Sequence, residues 1–113
     1  MALVCYHGEN PHIINQERAD MILGIVADPN LRKIINCIKE DFKNAKQISN
    51  ELKLPITTTY RHLHELEEKN ILILSSKIQQ GKRTFSFKSK IQKVISIFDQ
   101  DSIDMKIYTN LRD

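Results

Sequence analysis

Apolar residues recur along the first two thirds of the chain in stripes that predict helices. Asn15 is placed to cap a helix containing Ala19, Ile22, Leu23 and Val26, apolar positions at helical spacing. Asp28-Pro29 restarts the chain, with Asp as N-cap and Pro at the first helical position. Leu31, Ile34, Ile35 and Ile38 then fall at i, i+3, i+4 and i+7, one buried stripe. Asn44-Ala45-Lys46-Gln47 has the form of a capping box with Asn in place of Ser or Thr, and the short helix behind it buries Ala45, Ile48 and Leu52. Lys53 and Leu54 make a turn, and Pro55 opens a longer helix, 55–69, whose inner face is Thr59, Leu63 and Leu66.

The period then changes. Ile71-Leu72-Ile73-Leu74 reads as a short strand entering the core. Gln79-Gln80-Gly81-Lys82 reads as a turn, with Gly where a positive φ is needed. Arg83 to Lys88 alternates, Phe85 and Phe87 to one side and Thr84, Ser86 and Lys88 to the other, as a half-buried strand does. Ile91, Val94, Ile95 and Phe98 return to helical spacing and predict another helix. After Gln100-Asp101-Ser102 the stripe shifts to Ile103, Ile107 and Leu111, which predicts a break or a second short helix. Residues 1–13 lack periodicity, carry Gly8 and Pro11, and read as an arm or loop.

The expected fold class is therefore mainly α with a small β-hairpin. Two helices joined by a tight turn, the second with a polar outer face, form the helix-turn-helix pattern, and a basic hairpin directly after it is a wing. The chain is expected to divide into an N-terminal arm (1–13), a winged helix-turn-helix domain (14–100) and a C-terminal helical extension (101–113).

Composition narrows the class without changing this picture. A chain of 113 residues, 41% hydrophobic and 27% charged, fits one folded domain rather than a disordered segment. Met21 to Ala27, between Asp20 and Asp28, falls far short of the about 20 apolar residues of a membrane span, so no membrane partner is expected. The opening MALVCYHGENP has no basic start followed by an apolar stretch, so no secretory signal is visible. Cys5 and Cys37 make no disulfide framework, which points to the reducing cytoplasm.

Charge changes the picture more. Lys43 to Lys93 holds 11 Lys/Arg against 4 Asp/Glu, a net of +7, while the remaining residues hold 6 against 10, a net of −4. A cationic middle attracts a polyanion; the competing reading is a solvated lysine-rich surface. On a helical wheel with Thr59 at the core, Thr57, Arg61 and His64 collect on the outer side, with Tyr60, Thr58 and Glu65 flanking them and His62 toward the core edge. Such a face suits the major groove of double-stranded DNA. Arg61 is the strongest candidate base reader, because guanidinium pairs bidentately with guanine. Thr57 and Thr58 lie in the first turn, where hydroxyls and backbone N–H groups grip phosphate, and Tyr60 and His64 could reach base or backbone. Lys82 and Arg83, in the wing at 79–84, are placed for the backbone or the minor groove.

Each has a plainer alternative: Arg61 as a surface ion-pair residue near Glu65 and Glu68, Thr57 and Thr58 as caps, Lys82 and Arg83 as charges that keep a hairpin edge soluble. Glu65, Glu67 and Glu68 would repel phosphate and confine any groove contact to the helix's first turns.

These residues resemble the ArsR-type winged-helix transcriptional regulators. Ile25-Val26-Ala27-Asp28-Pro29-Asn30-Leu31-Arg32-Lys33-Ile34 is similar to that family's ALADPTRLRIL signature, Thr58-Thr59-Tyr60-Arg61-His62-Leu63 to TVYRHL, and Leu66 through Asn70-Ile71-Leu72 to L...GLI. The resemblance spans residues 15–100 in order. It implies a homodimer held by its first and last helices, which would make Ile22, Leu23, Val26, Ile91, Val94, Ile95 and Phe98 the dimer interface.

Metal sensing, common in that family, departs from this sequence. The family's thiol pair aligns with Asn44 and Lys46, poor soft-metal ligands, and the last helix has no His. Cys5, His7 and His12 are of types that suit zinc, but spacing within an arm is weak support, and no metal or other cofactor is expected. Cys37, beside a buried stripe, reads as packing. No phosphate loop or nucleophile elbow is present, so no enzyme activity is expected. The leading expectation is a sequence-specific duplex-DNA-binding transcriptional regulator. The alternative is a winged-helix protein-protein interaction module in a transcription assembly, which would carry an exposed apolar patch where the regulator carries basic residues.

Overall fold

The computed structural model of the chain describes residues 2–110. It overturns the mainly α expectation: among the described residues about 40% are strand and 39% helix, with seven strands in two sheets and four helices. Two compact units form, one from Pro29–Ser89 and one from Met1–Asp28 with Lys90–Asp113.

The first unit follows the local signals of its sequence. Helix α2 (Pro29–Cys37) begins at the proline and buries Leu31, Ile34 and Ile35; Ile38, just beyond it, is also fully buried. Strand β3 (Lys43–Asn44) leads into α3 (Ala45–Leu52), whose capping box is complete: the Asn44 side chain accepts from the Gln47 backbone and the Gln47 side chain accepts from the Asn44 backbone. Lys53 closes α3 in the left-handed conformation at φ 54°, so three residues, 53–55, separate it from α4 (Ile56–Glu68). Helix α4 buries Thr59, Leu63 and Leu66 against the unit's interior, as its wheel predicts. It ends with Asn70 at φ 59°, its N–H bonding Glu67 while Ile71 bonds Leu66. Strands β4 (Leu72–Gln79) and β5 (Lys82–Ser89) form the hairpin, joined at Gln80 (φ 51°) and Gly81 (φ 77°). Two positive φ values are what a two-residue type I′ turn requires. The sheet order is β3-β5-β4, and the Ser89 N–H bonds the Ile38 carbonyl at 2.8 Å, which ties the hairpin to the end of α2.

In the second unit three expectations are corrected. The arm over 1–13 is a hairpin of β1 (Leu3–His7) and β2 (Asn10–Ile13), turned at Gly8 with φ 67°. Glycine at the first central position is the demand of a type II′ turn, and Pro11 is tolerated because β2 is an edge strand. Ile91, Val94, Ile95 and Phe98 do not form a helix; they lie in strand β6 (Ile91–Asp99). The C-terminal helical extension is strand β7 (Ser102–Thr109), and Leu111 lies outside the described residues. The sheet order is β2-β1-β7-β6, with β1 and β7 parallel, from Leu3 opposite Met105 to His7 opposite Thr109.

The physical reason is that Ile91, Val94, Ile95, Ile97 and Phe98 are β-branched or aromatic, residues that favour a pleated sheet. Partners on β7, opposite Val94 to Asp99, hold them there. Helix α1 (Gln16–Ala27) is the element that local signals read correctly: Asn15 caps it by accepting from the Arg18 N–H at 2.7 Å. Its buried stripe is Ala19, Ile22 and Ile25, leaving Leu23 and Val26 half-buried. No helix among the described residues is long and apolar enough to cross a membrane.

Candidate nucleic-acid interface

Helix α4 and the β4–β5 hairpin supply the expected interface residues, and all of them reach solvent. Thr57, Arg61 and His64 are exposed on α4, Tyr60 is 58% exposed, and Thr58 is half-buried. Lys82 and Arg83 are exposed on the hairpin, Lys82 beside its turn.

The carboxylates near Arg61 are engaged elsewhere. Glu65 meets Lys69 at 3.1 Å, and Glu68 meets His64 at 3.0 Å. Among the described residues Arg61 makes no ion pair, which removes the plainer reading of it as a partner of those acids. His64, by contrast, is committed to Glu68. The first turn of α4 has no side-chain cap, since Pro55 precedes it, and holds no acidic residue. The buried Thr59 hydroxyl donates to the Pro55 carbonyl, and the exposed Thr57 and half-buried Thr58 lie in that uncapped first turn.

One concavity, of about 350 Å³, draws several elements together. Tyr60 of α4, Arg83, Thr84, Phe85 and Phe87 of β5, and Asn44, Ala45 and Lys46 at the start of α3 line it. Of the sequence-predicted residues it unites Tyr60 with Arg83; Thr57, Arg61, His64 and Lys82 lie outside its walls. Lys46 and Phe85 were not singled out for this role. The signal for Lys46 is its place in the first turn of the helix that precedes the expected recognition helix. The lining is not purely cationic, since Phe85 in it is 48% exposed; outside it, Ile78 on the same hairpin is 70% and Ile56 on α4 42% exposed.

His62, on the inward side of α4, is 9% exposed, and neither ring nitrogen has a hydrogen-bond partner. Behind α3, the Cys37 thiol donates to Glu51 at 3.0 Å and Lys43 binds the same carboxylate at 2.9 Å. Burial first, and the bond to Glu51 second, push the Cys37 thiol up to about 11. Burial raises Cys5 as well, against the opposing charge of Arg18. Both thiols are therefore protonated at neutral pH and are poor thiolate ligands or nucleophiles.

In the sheet of the second unit, Cys5 lies opposite His12, and the His7 and His12 rings approach to 4.7 Å between centroids. His7 Nδ1 is 2.8 Å from the Thr109 hydroxyl. No group of three or more His, Cys, Asp or Glu among the described residues is arranged to hold a metal ion.

NolR from Sinorhizobium fredii is similar in structure, with a TM-score of 0.53 at 20% identity over 65% of this chain and 69% of that one. At that identity the likeness is one of fold. No family model matches the sequence, and no curated protein does.

Proposed function

We propose that the chain is a sequence-specific duplex-DNA-binding transcriptional regulator of the ArsR-like, winged helix-turn-helix kind, and that it acts as a homodimer without catalysing a reaction. In this reading α4 enters the major groove with Arg61 on base edges, and Thr57 and Thr58 meet phosphate at its first turn. Lys82 and Arg83 of the hairpin hold the backbone or the adjacent minor groove. The observation that carries the reading is an exposed Arg61 with no ion-pair partner among the described residues, on the outer face of a helix that follows a three-residue turn. Tyr60, Arg83 and Lys46 around one concavity support it, as does the fold likeness to NolR.

Two copies would present two α4 helices to half-sites about one helical turn apart. Of the residues expected at that interface, Leu23, Val26, Val94, Ile95 and Phe98 stay available to a second copy, and Ile22 and Ile91 do not. Of these, Phe98 is 72% and Ile95 37% exposed, whereas Ile22 and Ile91 are each 3% exposed and serve the interior.

The exposed Ile78, Phe85 and Ile56 favour a second reading, a protein-interaction module that docks an apolar partner on the hairpin. Enrichment of fragments from a mixed genomic DNA pool separates the two. A regulator enriches a discrete set that Arg61→Ala no longer enriches, with affinity falling steeply as salt rises. Weak binding, indifferent to sequence and to Arg61→Ala, Lys82→Ala and Arg83→Ala, would favour the protein partner.

A further inference from the structure

The two edges of the β2-β1-β7-β6 sheet differ in how they meet solvent. Strand β2 is four residues long and carries Pro11, which removes a backbone donor from that edge. Strand β6 is nine residues long, contains no proline, and is apolar through its middle. Ile95, Ile97 and Phe98 are 37%, 60% and 72% exposed. Its pairing to β7 is irregular between Ile91 and Lys93 and regular from Lys93 to Asp99. Alternate residues of that regular stretch send their N–H and C=O groups away from β7, along an edge with no partner strand among the described residues. A long apolar edge of this kind is a template for another strand.

The sequence of that stretch is self-complementary. Lys93-Val94-Ile95-Ser96-Ile97-Phe98-Asp99 reads cation, apolar, apolar, small, apolar, apolar, anion. Along a strand, Lys93, Ile95, Ile97 and Asp99 share one face, and Val94, Ser96 and Phe98 share the other. An antiparallel copy centred on Ser96 sets Lys93 opposite Asp99 of the second copy, Val94 opposite Phe98, and Ile95 opposite Ile97. Opposed residues in an antiparallel pair lie on the same face, so every one of these contacts is like with like, or plus with minus. The small Ser96 meets itself on the two-fold axis. Sliding the pairing by two residues in either direction places a charge opposite an isoleucine, so the pattern specifies one register.

We propose that two copies of this chain join edge to edge through β6, antiparallel about Ser96, making one continuous eight-stranded sheet from two four-stranded ones. The proposal deepens the two-copy part of the reading above and rests on it, but it is independent of what α4 binds. It assigns the interface to Val94, Ile95, Ile97 and Phe98, with two Lys93–Asp99 pairs closing its ends. An isologous contact of this kind closes at two copies and leaves no further β6 edge open.

Sedimentation of the full chain over a concentration series tests it. The wild type is expected to dimerise reversibly. Lys93→Asp, which turns both end pairs into repulsions, is expected to weaken the dimer about tenfold, and the swap Lys93→Asp with Asp99→Lys to restore it. In a Cys37→Ser background, Ser96→Cys is expected to form an intermolecular disulfide under mild oxidation, since opposed Cα atoms in either kind of antiparallel pair lie within disulfide reach. Thr84→Cys on the exposed hairpin gives the rate of chance collision. A dimer unmoved by Lys93→Asp and not linked through Ser96→Cys would overturn β6 as the interface while leaving a two-copy protein. A monomer at every concentration would overturn both. DNA enrichment by the same preparations reports separately on the DNA reading.

Discussion

The unit Pro29–Ser89 carries 12 Lys/Arg against 6 Asp/Glu, whereas residues 1–28 and 90–113 together carry 5 against 8. The two also differ in how the chain closes them. In the basic unit the longest-range ties join residues about forty to fifty positions apart, β3 with β5 and the Ser89 N–H with the Ile38 carbonyl. In the acidic unit the closing pair is β1 with β7, residues about a hundred positions apart at opposite ends of the chain. The contrast separates two tasks. The unit of shorter-range closure carries the cation excess that would attract a polyanion, and the unit closed by its distant strands carries the β6 edge that has no partner strand among the described residues.

Substitutions can break or sharpen that contrast. The largest effects are expected in the two cores: Leu66→Ala in the basic unit and Met105→Ala in the acidic one, 0% and 1% exposed, should each destabilise by about 2–5 kcal/mol in urea unfolding. A far smaller loss for Met105→Ala would mean that the sheet's interior is loosely packed. His62→Leu is next, and its expected sign is the reverse. It removes two buried ring nitrogens that lack partners and should raise stability by about 1–2 kcal/mol, read as a higher melting temperature; a lower melting temperature would mean the ring is satisfied by solvent.

Asn44→Ala and Asn15→Ala compare one cap in each unit. Each should cost about 1 kcal/mol, with Asn44 the larger because its capping box loses a reciprocal pair, and thermal melts can rank them.

The smallest effect is at Cys37. Its thiol is raised from 9.0 to about 11, so the folded chain holds that proton more tightly than the unfolded chain. The associated stability is complete below pH 9 and declines as pH rises from 9 through 11. Alkylation of Cys37 in the folded protein should therefore stay slow up to pH 9 and quicken toward 11, with Glu51→Gln moving the rise to lower pH.

What was legible in the sequence follows the same division. In Pro29–Ser89 the signals are local and chemical: a proline at a helix start, an Asn–Gln capping box, a glycine at a positive φ, and an inner face of Thr59, Leu63 and Leu66. The outer face of α4 could be read from the same wheel, although the approach of Lys46 and Phe85 to Tyr60 depends on packing that no period encodes.

In the other unit the Asn15 cap marked α1, but the signals of the strands misled. Ile91, Val94, Ile95 and Phe98 satisfy a helical spacing while belonging to a strand, because a short apolar run fits both periods and only its partners decide. The turn that would have settled it, Gln100 and Asp101 at φ 48° and 65°, lacks the Asn-Gly that marks such hairpins. The arm over 1–13 hid its strands for a related reason, since β1 is held by β7 from the far end of the chain.

The central claim is that the basic unit reads duplex DNA through Arg61. It is tested most directly by the affinity of the full chain for an enriched duplex and for a shuffled duplex of equal composition, across a salt series, with and without Arg61→Ala. The account predicts a linear fall of log affinity with log salt for both duplexes and a preference for the enriched one. It also predicts that Arg61→Ala loses about 1–3 kcal/mol of that preference, roughly five- to 150-fold, while keeping most of the binding to the shuffled duplex. Equal affinity for the two duplexes, unchanged by Arg61→Ala, would contradict it.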